Sequence, residues 1–240
     1  MLKLYRELAT WWPLLSPPED YADEAERFWR LLSEVGLPSS PSLLELGCGG
    51  GSNAFYLKKH FAHLTLTDVS PHMLAVSRVL NPDCDHLQGD MRMLRLGRVF
   101  DAVFIHDAID YMTTPHDLRQ AMETAFAHCT AGGVALFVPD HVRETFQPST
   151  DHGGRDGAGR ALRYLEWAYD PDANDTTYVV EFAYFLREAN QPVRVEHEQH
   201  IHGLFPRAEW FRLFTAVGFQ AEIVRDQYER DIFVARRPKG

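Results

Sequence analysis

Residues 45–51 read Glu45-Leu46-Gly47-Cys48-Gly49-Gly50-Gly51, and the fold follows from what this turn connects. A short apolar run, Ser42 to Leu46, precedes it, and a helical pattern begins at Asn53. Glycines let the backbone turn sharply and let a ligand lie against peptide N–H groups. Asp68 ends the next apolar run, about twenty residues after Gly47, where a carboxylate can accept hydrogen bonds from ribose hydroxyls. The pattern therefore predicts a nucleoside cofactor at the end of a strand.

Apolar strands and helical segments alternate up to about residue 140. We expect strands over 42–46, 64–68, 86–88, 100–106 and 134–138, and helices over 53–61, 71–80 and 115–129. Ser70 is the expected N-cap of the helix that begins at Pro71. This alternation is typical of right-handed βαβ units and predicts an α/β fold with a doubly wound parallel sheet.

The two ends of the chain differ from this central pattern. Residues 1–12 and 19–36 are expected to be helical, with breaks at Pro13 and Pro17-Pro18. After residue 140, three β-rich segments predict an antiparallel insertion. A helix and a last hairpin then return to the sheet. The expected ranges are 161–169, 178–187 and 193–204 for the insertion, and 208–216 for the helix. A glycine-rich loop over 152–159 is expected to be flexible, either as a lid or as an ordinary linker.

Composition excludes several classes of protein. The 240 residues include 24 Lys and Arg against 34 Asp and Glu, a formal charge of −10, which disfavours nucleic acid as a partner. Three unpatterned cysteines argue against a disulfide framework, so we expect a cytoplasmic protein. No apolar window has the length of a membrane span or a signal peptide. The sequence does not distinguish a monomer from a homodimer.

The glycine turn resembles motif I of the class I S-adenosylmethionine-dependent methyltransferases, in the form Glu45-x-Gly47-x-Gly49-x-Gly51. The likeness continues in the family's order at 66–74, 88–91, 100–103 and 131–134. It implies a Rossmann-like, doubly wound, seven-stranded and mostly parallel sheet, with N-terminal helices and the antiparallel β insertion. It also implies S-adenosyl-L-methionine as the cofactor and a small-molecule acceptor.

Within that family the chain is similar to the sugar-amine N,N-dimethyltransferases of macrolide biosynthesis. The similar segments are Asp20–Ala25, Leu87–Met91, Leu96–Arg98 and His200–Phe205. Two segments depart from those enzymes: Ile105 to Tyr111 is more acidic, and 150–190 does not match closely. The resemblance implies methyl transfer to an amine nitrogen first and to a hydroxyl oxygen second.

The resemblance also implies roles on the cofactor. Asp68 would hold the ribose hydroxyls, and Asp90 would accept from the adenine amino group beside the N–H of Met91. Glu45 would orient the turn or bind the methionine amino group through water, while Met73 would pack on the adenine. The full set of expected cofactor-binding residues is Tyr21, Glu45, Gly47, Gly49, Gly51, Asp68, Met73, Asp90, Met91 and His106.

On the acceptor side, methyl transfer is an in-line displacement in which positioning supplies much of the catalysis. A base helps if the acceptor arrives protonated. The expected catalytic residues are His141, Asp107 and His200, with Asp110, His152 and His202 as further candidates. Strand alternation places Glu196, Glu198, His200 and His202 on one face, which we interpret as the wall of a polar acceptor pocket; no metal is expected. Residues expected to serve the same pocket are Arg163, Tyr164, Glu166 and Trp167.

Two other functions remain as alternatives. A nicotinamide-dependent oxidoreductase needs G-x-G-x-x-G/A, and the match from Gly47 fails at Ser52. The pattern read from Gly49 fits formally, but it places Ala54 in the third position and leaves Gly47 unexplained. A non-catalytic S-adenosylmethionine-binding module would need the same glycines and acids as an enzyme. We expect one methyltransferase domain over 1–240, divided into N-terminal helices 1–40, a cofactor-binding core 41–140, an acceptor-site β insertion 141–205 and a return to the core sheet over 206–240.

Overall fold

The computed structural model describes residues 2–240, so that Met1, with which the first expected helix begins, lies outside the described residues. The strands are β1 Ser42–Leu46, β2 His63–Asp68, β3 Asp85–Gln88, β4 Phe100–Ile105, β5 Cys129–Phe137, β6 Ser149–Gly153, β7 Asp156–Gly157, β8 Arg160–Tyr169, β9 Thr177–Glu188, β10 Arg194–Gly203, β11 Gln220–Arg225 and β12 Asp231–Arg236. The helices are α1 Trp12–Leu15, α2 Ala22–Ser33, α3 Ser52–Leu57, α4 Pro71–Leu80, α5 Pro115–His128 and α6 Arg207–Val217. Short 3₁₀ turns lie at Ala9–Trp11, Pro18–Tyr21 and Asp107–Tyr111.

The main sheet has seven strands in the order β11-β12-β5-β4-β1-β2-β3. The five from β5 to β3 are parallel, and β12 is antiparallel to β5. This confirms the predicted doubly wound, mostly parallel sheet. Because the order reverses between β1 and β4, a crevice opens at the carboxyl ends of these two strands, where ligands of such sheets bind.

Helices cover both faces of this sheet. Phe28 of α2 and Leu57 of α3 are fully buried in one core cluster. Leu118 of α5 and Trp210 of α6 belong to a second cluster, which also includes Phe233 of β12. Burial of such side chains stabilises the fold by roughly 1.5–3 kcal/mol each. The two clusters hold the strand ends at fixed positions beneath the crevice.

The N-terminal region differs from the prediction. Residues 3–8 form turns rather than a helix, and Pro13 lies in the first turn of α1 instead of breaking it. A proline is tolerated there because first-turn N–H groups have no partner within the helix. The segment packs through Leu4 and Leu8 on Tyr184 of β9. It therefore contributes to the second sheet.

The predicted antiparallel insertion is present as a five-stranded sheet in the order β10-β9-β8-β6, with β7 beside β8. The expected flexible loop over 152–159 was wrong in part. Its residues in β6 and β7 pair with β8, at His152 with Leu165 and at Asp156 with Ala161. The backbone hydrogen bonds of these pairs leave the lid interpretation without a basis. Among residues 2–240, no helix has the length and apolar character needed to cross a membrane.

Candidate active site

The glycine turn forms a close-fitting cradle between β1 and α3. The N–H groups of Gly47 and Cys48 both donate to the Thr67 carbonyl, at 2.8 and 2.9 Å. Gly47 has a φ of +76°, and a Cβ there would overlap Ala108. At Gly50 a Cβ would overlap the Trp12 ring. The turn therefore needs glycine at these positions to keep the space above it open.

A cavity of about 320 Å³ lies over this cradle. We call it the cofactor chamber. Eight of the ten expected cofactor residues line it, namely Tyr21, Glu45, Gly47, Gly49, Asp68, Asp90, Met91 and His106. Tyr5, Trp12, Arg92 and Tyr111 line it as well. The structure thus brings together residues from β1, β2, β4 and the N-terminal segment at the predicted sheet edge.

Gly51 and Met73 are the two expected residues outside the lining of the cofactor chamber. Gly51 is the left-handed N-cap of α3, and its carbonyl accepts from Asn81 Nδ2 at 2.9 Å. Met73 is fully buried in the protein core, where its side chain is not accessible to a ligand. Its N–H donates to Ser70 Oγ at 3.2 Å, which confirms the predicted cap of α4.

Two buried carboxyl groups face the chamber. Asp68 accepts from the N–H of Gly49 at 2.9 Å and of Ser70 at 2.7 Å, which fixes its orientation. Glu45 is 2% exposed, and its Oε2 has no hydrogen-bond partner among the described residues. Burial raises the pKa of Glu45 to about 8. A ligand that donates hydrogen bonds would satisfy this oxygen, which fits an amino-acid ammonium group of S-adenosylmethionine.

Asp90 is already paired within the protein. Arg92 donates from Nη2 to Asp90 Oδ2 at 2.6 Å and from Nη1 to Asp117 Oδ1 at 3.1 Å. Hydrogen bonding from Arg92 lowers the pKa of Asp90. The carboxylate is therefore charged, and it shares its oxygens with a guanidinium that also lines the chamber.

His106 lies directly after β4, within a buried charge network. Its Nε2 is 3.3 Å from Glu24 Oε1, and its Nδ1 is 3.2 Å from Asp107 Oδ1. Burial opposes charge on the ring, but the two carboxylates outweigh it and raise the pKa of His106 to about 10. Arg230 completes the network with Glu24 at 2.9 Å and Asp226 at 3.0 Å.

A second cavity, of about 240 Å³, lies between the sheet edge and the face of the second sheet. We call it the acceptor chamber. All three expected catalytic residues, His141, Asp107 and His200, line it. The two chambers share five lining residues, namely Tyr5, Trp12, Tyr21, Asp107 and Tyr111. Asp107 is the carboxylate at this junction, where the chambers meet.

The electrostatics of Asp107 at the junction and of His141 in the acceptor chamber differ. The His106 imidazolium outweighs burial and holds the pKa of Asp107 below its ordinary value. Burial lowers the pKa of His141, more than neighbouring Asp140 raises it. At neutral pH, Asp107 is therefore a carboxylate and His141 a neutral imidazole. One can hold a cation, and the other can accept a proton.

The other acceptor candidates divide into two groups. His202, Tyr164 and Glu166 line the acceptor chamber. His152, Arg163 and Trp167 are not in its lining; His152 and Trp167 are exposed. Asp110 is buried below it and accepts from the Asp140 N–H at 2.9 Å. Asp110, Asp140 and His202 each offer one atom within 4.8 Å of the others, a spacing that a metal ion could bridge.

A hydrogen-bond chain runs from the junction into the second sheet. Tyr5 and Tyr111 hydroxyls are 2.6 Å apart, Tyr111 lies 2.8 Å from His200 Nδ1, and His200 Nε2 lies 2.9 Å from Glu198. Glu198 also accepts the N–H groups of Lys3 and Leu4. Sequence reasoning missed Tyr5 and the link through Tyr111, because its members lie far apart in the chain. The alternation of Glu198 and His200 on β10 was the available signal.

Comparisons with known proteins agree with this geometry. Residues 43–133 match the family described as Methyltransferase domain. The chain is 32% identical over 208 residues to the dTDP-3-amino-3,4,6-trideoxy-alpha-D-glucopyranose N,N-dimethyltransferase of Streptomyces venezuelae, covering 85% of each chain. The chain belongs to the S-adenosylmethionine-dependent methyltransferases.

Two further proteins are similar to this methyltransferase over most of their length. The dTDP-3-amino-3,6-dideoxy-alpha-D-glucopyranose N,N-dimethyltransferase of Streptomyces fradiae is 30% identical over 207 residues, covering 86% of this chain and 80% of that one. The sugar N-methyltransferase KedS8 from Streptoalloteichus superposes with a TM-score of 0.83 at 29% identity, covering 91% and 88% of the two chains. The expected fold, the enzyme class and S-adenosylmethionine as cofactor are thereby confirmed.

Proposed function

We propose that this methyltransferase transfers a methyl group to an amine nitrogen of a small molecule held in the acceptor chamber. The observation that carries the proposal is Asp107, an ionised carboxylate at the junction of the two chambers. An amine reaches the enzyme mostly as an ammonium ion, which such a carboxylate binds and orients. The named relatives, which are amino-sugar N,N-dimethyltransferases, support the same choice of atom.

The cofactor chamber supplies the expected groups for S-adenosylmethionine. We assign the ribose hydroxyls to Asp68, the methionine ammonium to Glu45, and the methionine backbone to the peptide groups of Gly47 and Gly49. We assign the adenine to Met91 and Asp90, and Arg92 holds the Asp90 carboxylate in place. When bound, S-adenosylmethionine supplies an electrophilic methyl group on a sulfonium.

The chain's own residues then prepare the acceptor. Asp107 orients the ammonium, and neutral His141 takes its proton so that the nitrogen lone pair is free. The aromatic rings of Tyr5, Tyr21 and Trp12 exclude water from the junction, which favours a displacement between oriented groups. His200 acts through Tyr111, because both of its ring nitrogens are bonded within the protein. It is therefore a positioning residue.

Hydroxyl methylation is the second candidate. His141 could equally take a proton from a hydroxyl group, and the tyrosines could position it. Asp107 argues against this acceptor, because a carboxylate beside the attacking oxygen would oppose the alkoxide that must form.

The test combines ligand binding with methyl transfer. Calorimetry with S-adenosylhomocysteine and with NAD should show binding of the first alone. Incubation with methyl-labelled S-adenosylmethionine and matched amines and phenols should label the amines. Label only on phenols would overturn the choice of nitrogen, and cofactor binding with no transfer to either class would favour the binding module.

We also infer the setting in which the enzyme works. The net charge of −10 supports an enzyme that does not bind nucleic acid. The free thiols of Cys48, Cys84 and Cys129 support a location in the cytoplasm. The topology supports one domain over 1–240 with the acceptor-site insertion over 141–205.

The outer face of the second sheet exposes Leu165, Trp167, Phe185, Val195 and Ile201, each by 46–57%. We assign this face to a homodimer, which light scattering with Trp167→Glu would test.

A further inference from the structure

Among the described residues, the acceptor chamber is lined by acidic side chains without basic ones to match them. The carboxyl groups of Asp107, Asp140 and Glu166 line it, while no Lys or Arg among residues 2–240 does. Burial raises the pKa of Asp140, and it raises that of Glu166 to about 7, so a bound cation would favour their ionised forms. The named relatives act on dTDP-linked amino sugars, whose diphosphate is anionic. A diphosphate inside this chamber would meet like charge without a cationic partner. The chamber therefore favours an acceptor that brings positive charge.

The three carboxylates differ in what already neutralises them. Asp107 has the His106 imidazolium at 3.2 Å. Asp140 has Arg230 at 4.0 Å, although this guanidinium also holds two other carboxylates. Glu166 makes no hydrogen bond or ion pair with any residue of the described chain. A half-buried carboxylate without a partner is costly unless a ligand supplies one.

A second unpaired group lies in the same chamber. His202 is 8% exposed, and its Nε2 has no hydrogen-bond partner among the described residues. Its Nδ1 lies 3.1 Å from the Tyr178 hydroxyl, which leaves Nε2 as the ring atom available to a ligand. Buried polar atoms are nearly always paired, so this nitrogen indicates a bound hydrogen-bond partner, which is a donor when Nδ1–H donates to the Tyr178 hydroxyl.

We propose that the acceptor is a diamine or polyamine without phosphate, and that Glu166 binds its second ammonium group. The proposal rests on the proposed function, in which Asp107 binds the reacting amine. Glu166 projects from β8 of the second sheet, whereas Asp107 follows β4 of the main sheet. The two carboxylates lie on different walls, so a molecule with two amines can engage both.

Asp140 and His202 line the same chamber, and each offers one atom within 4.8 Å of the other. We assign both to this cation site, with the His202 tautomer that donates from Nδ1 to Tyr178 and accepts at Nε2. An ammonium group offers several N–H donors, enough to bond to Glu166 and to a neighbouring acceptor atom together. A monoamine of the same size would satisfy Asp107 alone. Glu166 is therefore a specificity-determining residue, which selects among amines without contacting the methyl group.

The binding experiment uses a matched pair of probes, trans-1,4-diaminocyclohexane and trans-4-aminocyclohexanol, with the full-length enzyme saturated with S-adenosylhomocysteine. Calorimetry should show the diamine binding about tenfold to a hundredfold more tightly. Glu166→Gln should remove this preference, chiefly by weakening the binding of the diamine. Glu181→Gln, on the opposite face of the same sheet, is the matched control and should keep the preference. Equal binding of the two probes, or a preference that survives Glu166→Gln, would overturn the proposal.

Methyl transfer to the same probes separates this proposal from the proposed function. A diamine that binds through Glu166 but receives no methyl group would refute amine methylation and leave the cation site standing. Amine methylation that is fastest on the dTDP-linked amino sugar of the Streptomyces venezuelae relative, and insensitive to Glu166→Gln, would uphold the function and refute the diamine acceptor.

Discussion

The Oδ1 atom of Asp107 lies 3.2 Å from Nδ1 of His106, at the point where the cofactor and acceptor chambers meet. The imidazolium lowers the pKa of Asp107, whose side chain is half exposed, and so keeps it ionised. Glu24 Oε1 lies 3.3 Å from the other ring nitrogen, which Arg230 Nη1 also approaches at 3.3 Å. A carboxylate so oriented can bind the amine that receives the methyl group.

Asp107→Asn should lower kcat/KM for an amine acceptor by about a hundredfold, since the neutral amide no longer attracts an ammonium ion. The measurement is steady-state methyl transfer at saturating S-adenosylmethionine. Asp23→Asn makes the same change of charge at an exposed residue in the first turn of α2 and is the control. Equal activity of Asp107→Asn and the parent enzyme would remove Asp107 from the mechanism.

The charge of His106 should make stability depend on pH. Its pKa rises on folding from an ordinary 6.5 to about 10, so its contribution is fully present below pH 6.5 and is lost as the pH rises through about 10. A shift of this size corresponds to a contribution of about 5 kcal/mol. Urea unfolding at pH 7 and pH 10 should show a larger loss of stability in the parent than in His106→Gln. The same loss in both proteins would show that this histidine is not charged in the fold.

Asp68→Ala should abolish measurable S-adenosylmethionine binding by calorimetry. The substitution removes the assigned ribose acceptor and also frees the Gly49 N–H, which shapes the glycine turn. Asp68→Asn keeps the size of the side chain and separates these effects, because it retains one acceptor oxygen. We expect at least tenfold weaker binding for this second variant. An unchanged affinity of Asp68→Ala would exclude its assigned role.

Tyr111→Phe should lower kcat by about tenfold while the affinity for S-adenosylhomocysteine changes little. The substitution keeps the ring and removes the hydroxyl that joins Tyr5 to His200. His200→Gln interrupts the same chain at its next member and should not add to the effect in the double variant. Fully additive losses would show that the two residues act independently.

The local pattern of the sequence determined the main sheet. The glycine turn, the cap at Ser70 and the alternation of strands and helices were all predicted, because each depends on neighbouring residues. The region 2–15 was predicted less well. Its conformation comes from packing on Tyr184 and from Glu198, which lies about two hundred residues away in the chain. No local pattern reports such a contact.

The candidate site likewise contains residues that were predicted from local sequence and residues that were not. Motif residues such as Glu45 and Asp68 line the cofactor chamber as expected. Met73 does not, because α4 turns its side chain into the core. The acceptor chamber needs the second sheet to pack on the strand ends. For this reason, the sequence indicated His141 and Glu166 as site residues, but it did not show that they line one chamber with Asp107.

The central claim is that the methyl group reaches an amine nitrogen at the junction beside Asp107. The most direct measurement is the NMR spectrum of the product formed from a diamine and S-adenosylmethionine with a ¹³C-labelled methyl group. The account predicts a labelled carbon bonded to nitrogen, formed far more slowly by Asp107→Asn. A labelled carbon bonded only to oxygen when amino alcohols are offered, or equal rates in the two proteins, would contradict it.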